Sequence, residues 1–138
     1  MLERSFDIAR INEVVNHPAV RPFVGPGDDL IDLTNVIAPQ ENWFLMGKHG
    51  GFALLWSAPG VYEIHTFILP EGRGLWGAKA RAEGITFARD HGATMLWTRI
   101  PPKAPHVARF ARQGGMTPTN DVIHRADVPY QIYTMELR

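Results

Sequence analysis

The sequence predicts one α/β domain built on a mixed, mostly antiparallel sheet, and three observations predict it. Strand-like runs at 42–48, 52–57 and 61–69 are separated only by short turns, His49-Gly50-Gly51 and Ala58-Pro59-Gly60, the spacing of an antiparallel meander. The third run does not turn back. It feeds Pro70-Glu71-Gly72-Arg73-Gly74, a long amphipathic segment and a further apolar run at 94–100, the order of a β-α-β unit with parallel strands. At 138 residues, 45% of them hydrophobic, the chain is long enough to bury one core and too short for two, so 1–138 is read as a single domain.

The elements follow in order. Ile8, Ile11, Val14 and Val15 fall on one helical face with Arg10 and Glu13 opposite, so 7–16 reads as a short amphipathic helix capped by Ser5 or Asp7 and stopped before Pro18. Residues 17–27 hold Pro18, Pro22, Gly25, Pro26 and Gly27, too many breakers for regular structure, and suit an ordered loop. A further helical turn is expected within 28–36. Beyond the meander, Leu75, Ala78, Ala82, Ile85 and Ala88 recur at three-and-four spacing, with Lys79, Arg81, Glu83, Arg89 and Asp90 mostly opposite and Gly92 as the terminator. Pro101-Pro102 ends the next strand; 105–113 reads as a short helix with Val107, Phe110 and Ala111 apolar, and 122–124 with 130–137 as a closing strand pair.

Composition removes several function classes. Lys and Arg total 14 against 14 Asp and Glu, so no global field recruits nucleic acid or an anionic membrane, and neither partner is expected. The absence of cysteine excludes disulfides, thiolate metal sites and a cysteine nucleophile. The six histidines are scattered without a helical His-Glu-x-x-His pairing, and Ser5 and Ser57 stand outside any nucleophile-elbow context, so neither a metal nor a serine nucleophile is expected. No run approaches membrane-spanning length, and the expectation is a cytoplasmic protein.

What remains is the junction at 70–78. An apolar strand that turns through glycines into a helix offers free backbone N–H groups and a partial positive charge, a cradle for phosphate. Within the preceding strand, Glu63, His65 and Phe67 alternate onto one face. At these residues the chain resembles the GNAT superfamily of acyl-CoA N-acyltransferases, especially its small phage-encoded members: strand, Arg73-Gly74 turn, small-residue helix, strand 94–100, and a short helix ending Gly114-Gly115-Met116. The resemblance covers 61–116 well and the N-terminal half loosely. Two further signature positions, counted from Arg73, carry Trp76 and Ala78.

The resemblance implies an acetyl-CoA cofactor held by Phe67, Ile68, Leu69, Arg73, Gly74, Leu75, Trp76, Gly77 and Ala78, with the two strands splayed apart at that site and a bulge near Phe67. It implies Glu63 as general base acting through water, with a pKa raised by desolvation, and His65 as the alternative base. Two other readings stay open: Glu63 as a structural carboxylate paired with an arginine, and His65 as a polar residue lining the cleft. The family's tyrosine acid falls at Ala111, its following aromatic at Met116 and its asparagine at Ala104; Tyr130 and Tyr133 are substitutes or plain core. Lys103, Arg109 and Arg112 form a solvated basic face or meet the 3′-phosphate of CoA. The expected function is acetyl transfer to an unidentified amine by direct attack in a ternary complex, with a homodimer left open. Trp76 and the missing tyrosine favour the alternative, a catalytically inactive binding or virion-associated structural protein of the same fold.

Overall fold

The computed structural model describes residues 1–138. In chain order the elements are β1 (Glu3–Arg4), α1 (Ile8–Val15), a 3₁₀ turn (Arg21–Phe23), α2 (Thr34–Ile37), β2 (Trp43–Gly47), β3 (Gly50–Ala58), β4 (Val61–Ile68), a second 3₁₀ turn (Pro70–Gly72), α3 (Leu75–Asp90), β5 (Met95–Ile100), α4 (Pro105–Gln113), β6 (Thr117–Arg125) and β7 (Val128–Glu136). The seven strands form one sheet in the order β1-β2-β3-β4-β5-β7-β6, antiparallel throughout except for β4 and β5. This is the mixed sheet expected from the sequence.

Each face of the sheet has its own cover. Ile11, Val14 and Val15 of α1 pack with Ile37 of α2 against Phe44, Ala53 and Phe67. On the opposite face α3 and α4 lie over Leu45, Leu54, Leu96 and Tyr133. The loop joining α1 to α2 has little regular backbone but is well tied: Asn16 and Ile31 exchange side-chain and backbone bonds of 2.7 Å, and Arg21 donates to the carbonyls of Asp29 and Val24.

Four expectations are corrected. The buried face of α3 is Gly77, Ala80, Gly84 and Ala88, whereas Leu75 is 73% exposed and Ala82 is exposed. The glycines, not the larger apolar residues, face inward because they let the helix approach the sheet; a Cβ on Gly84 would already be in van der Waals contact with Phe52 at 3.6 Å. No bulge occurs at Phe67, which pairs in unbroken register with Gly51; the only irregularity of the β3–β4 ladder lies between Trp56 and Ala58. The closing strand expected at 122–124 is longer, running from Thr117 to Arg125, and the turn of the final hairpin places Ala126 and Asp127 at φ of 49° and 62°. Finally, β1 adds a strand the sequence did not announce, pairing Glu3 with Met46 and Arg4 with Leu45.

Candidate functional site

The two edges of β4 are treated differently. Against β3 it pairs from Val61 to Ile68, while against β5 it pairs only at Val61↔Met95, Tyr62↔Leu96 and Glu63↔Trp97. Beyond those positions the parallel strands part, and a cleft of about 510 Å³ opens through the sheet. Ile64, Ile68 and Leu96 line it toward the α3/α4 side, and His65, Phe67 and Arg99 toward the α1 side. The expected splay is present without the bulge.

At the α3/α4 side the cleft meets the start of α3. Gly74 caps the helix at φ 94°, ψ −129°, a conformation essentially restricted to glycine, and no side chain caps it. The first backbone bond of the helix runs from the N–H of Ala78 to the carbonyl of Gly74, so the N–H groups of Gly74, Leu75, Trp76 and Gly77 have no acceptor in the protein. These donors sit where Gly74, Gly77 and Ala78 line the cleft. The Trp76 side chain turns away: its ring stacks edge-on to His49 at 5.1 Å and fits against Gly47 and Gly72, where a Cβ would come within 3.0 Å of it. Its bulk therefore leaves its amide accessible. Of the residues the resemblance implied for the cofactor, Phe67, Ile68, Arg73, Gly74, Gly77 and Ala78 line the cleft; the side chains of Leu69, Leu75 and Trp76 do not. Leu69 packs toward the α1 cluster instead.

Arg73 does not point free. Its Nη2 donates to the Ala19 carbonyl at 2.8 Å, joining the start of α3 to the α1–α2 loop. From the same loop Phe23 packs edge-on to His106 of α4 at 4.5 Å, so both walls of the cleft touch this loop. Across α3 and α4, Arg81 donates to the Phe110 carbonyl at 2.9 Å while its guanidinium lies 4.4 Å from the Phe110 ring.

At the α1 side the raised pKa expected for Glu63 is overturned. Burial alone pushes this carboxyl up, but hydrogen bonds and charge from His65 and Arg99 outweigh burial and hold it at about 2. Arg99 grips it with both ends of a fork, Nε to Oε2 at 2.7 Å and Nη2 to Oε1 at 3.2 Å, and the His65 Nε2 lies 3.2 Å from Oε2. Glu63 is 7% exposed and does not line the cleft, whereas His65 and Arg99 do. A carboxylate so held is no base for neutral pH. The open reading of an arginine-paired structural glutamate is the one the geometry favours. Arg99 was not singled out from sequence, although strand alternation carried the signal: with Glu63 opposite Trp97, the residue two further along β5 shares its face. Tyr130 and Tyr133 are buried, at 4% and 3% exposure, and neither lines the cleft; Ala111 does, and Met116 beside it.

No protein-family model matches the chain, and no curated protein does. Solved structures do. A proposed acetyltransferase assigned to the GNAT family from Desulfovibrio desulfuricans superposes with a TM-score of 0.76 at 16% identity over 99% of this chain and 98% of its own. A proposed acetyltransferase from Salmonella typhimurium, solved with its cofactor acetyl-CoA, gives 0.72 at 19% identity over 100% of this chain and 94% of its own. An aminoglycoside acetyltransferase bound to coenzyme A and kanamycin gives 0.71 at 16% identity, over 99% and 94%. The chain has the fold of the GNAT acetyltransferases.

Proposed function

We propose that the protein is a CoA-dependent N-acyltransferase that moves an acetyl group from acetyl-CoA to an amine by direct attack, without a covalent acyl-enzyme. The observation that carries this reading is the parting of β4 from β5 where the unpartnered amides of Gly74 to Gly77 open into the cleft. The lining fits an elongated polyanion: it includes Arg73, Arg81 and Arg109 and not one aspartate or glutamate. Those amides and the α3 dipole would hold a pyrophosphate, with Arg73 exchanging the Ala19 carbonyl for a phosphate oxygen, and β4 with β5 would hold the thioester arm between Phe67, Ile68 and Ile100. Acetyl-CoA would supply an activated acyl group there.

The chain's own contribution is positioning and one proton acceptor. With Nε2–H donated to Glu63, His65 keeps a lone pair on Nδ1 that can take the proton of an acceptor amine. Glu63 then fixes the ring and balances the charge that develops on it, a positioning role rather than the base itself. No tyrosine reaches the cleft to act as acid, so the departing thiolate takes its proton from solvent, which suits a slow enzyme. Calorimetric titration with acetyl-CoA and with CoA tests the reading directly. Saturable binding of both is expected; no binding at millimolar ligand overturns it, and binding without acetylation of any amine marks a protein of this fold that has lost catalysis.

A further inference from the structure

Granted acyl transfer in this cleft, the charges at its α1 end describe the acceptor. His65 and Arg99 mark that end, with Val20, Phe23, Val24 and Phe67 as its apolar walls. The one acidic side chain in reach, Glu63, is already spent: both its oxygens are engaged by Arg99, one also by His65, and it is 7% exposed. Asp28 and Asp29 of the overlying loop are exposed and do not line the cleft. A polycationic amine would find no free carboxylate here and would meet Arg99 and Arg73 besides. Arg99 in contrast has donors to spare. Its Nε and Nη2 serve Glu63, while its Nη1 has no partner in the protein and the side chain, 20% exposed, borders the cleft. A guanidinium held rigid by one carboxylate and open on its remaining N–H groups is a ready recognition point for a second one.

We infer that the acceptor is an amine that also carries a carboxylate, of the apolar amino-acid type, with Arg99 Nη1 binding the carboxylate and the loop residues Val20, Phe23 and Val24 covering its apolar part. The aminoglycoside acetyltransferase shares the fold and was solved with kanamycin, a polyamine; the charge pattern here selects the opposite class.

The test uses the full chain. CoA binding is measured first. Apolar α-amino acids, their amides and spermidine are then compared in two readouts, binding to the CoA-bound protein by NMR shift titration and acetylation from acetyl-CoA by mass spectrometry. The acid form should outperform its amide by about tenfold or more in kcat/KM, the scale of losing one hydrogen bond to a charged group, and spermidine should be inert. In the paired variant Glu63→Gln with Arg99→Gln, which removes both charges while keeping shape, the acid and amide should become equivalent in binding while CoA affinity persists; the wild-type panel decides alone if this variant does not fold. Equal use of acid and amide, preference for spermidine, or a CoA-bound protein that neither binds nor acetylates any amino acid of the panel overturns the inference and leaves CoA binding standing. Absence of CoA binding overturns the acyl-transfer reading, and this inference with it.

Discussion

The two ends of the cleft are finished to different degrees. At the start of α3, backbone donors of Gly74 to Gly77 are left without acceptors and no side chain caps them. At the other end the Glu63 carboxylate has both oxygens met by Arg99 and His65 within 2.7 to 3.2 Å, a set closed around the carboxylate although Arg99 Nη1 is left over. An unmade set of hydrogen bonds is stable only because water can reach it, and it is therefore a place a ligand can complete. A closed set is different: removing a member costs stability first and function second. The same strand thus links an end designed around what it lacks to an end designed around what it already holds.

Breaking the closed end should give the largest effect. Arg99→Ala leaves Glu63 buried without its fork partner and is expected to cost about 3 to 5 kcal/mol of stability, read by urea denaturation. A loss below 1 kcal/mol would mean that Glu63 escapes to solvent and that the closed set is an illusion of one conformation. Acid should do the same more gently. Because the folded pKa of Glu63 is depressed from 4.5 to about 2, its contribution is fully present above the unfolded value and is lost as pH falls from about 4.5 toward 2, up to about 3 kcal/mol. Denaturation midpoints across that window should fall in the wild type and fall less in Glu63→Gln, which has no carboxyl to titrate there.

The functional side of the comparison sharpens with two further changes. His65→Gln removes the proposed base while keeping an amide toward Glu63, and acetyl transfer should fall about a hundredfold with CoA affinity intact. Full activity would remove His65 from the chemistry. At the open end, Arg73→Ala should weaken CoA binding by about 1.5 to 3 kcal/mol, the range for a charge-assisted hydrogen bond, with the acid limb of stability unmoved. Unchanged calorimetric affinity would mean that Arg73 serves only to hold Ala19.

The open end was legible in the sequence, and the closed end only as one of the readings left open for Glu63, for a physical reason. Glycines at 74 and 92 and small residues between them are local signals, read from neighbours along the chain, and α3 ends where they say. Glu63 is joined to a residue 36 positions away, and its pKa is set by burial on one side and, on the other, by hydrogen bonds and charge from His65 of its own strand and then from Arg99. An apolar strand suggested desolvation, the raising influence; the folded arrangement of His65 and Arg99 around the carboxylate reverses the sign. Local reading misjudged α3 in one respect as well, since it ranked Leu75 and Ala82 above the glycines as core. Helix-to-sheet distance, not hydrophobicity, decides that face.

The smallest effect isolates the backbone of the open end. Gly74 and Gly92 stand just outside the two ends of α3, both at φ 94°, and at neither would an added Cβ meet any atom within 4 Å. Substitution by alanine at either site therefore costs only the conformational penalty of a positive-φ backbone, about 1 kcal/mol at Gly92 and more at Gly74, whose ψ of −129° lies outside the left-handed helical region. Their consequences for binding should differ. Relieving the strain at Gly74 reorients the turn that aims the amides of Leu75 to Gly77 into the cleft, whereas Gly92 lies at the far end of the helix and does not line the cleft. Gly74→Ala should therefore lose CoA affinity several-fold beyond its loss of stability, and Gly92→Ala should lose stability alone. Equal affinity in the two variants would show that the amide cradle tolerates rearrangement, and that Arg73 and the walls of the parted strands carry the cofactor by themselves.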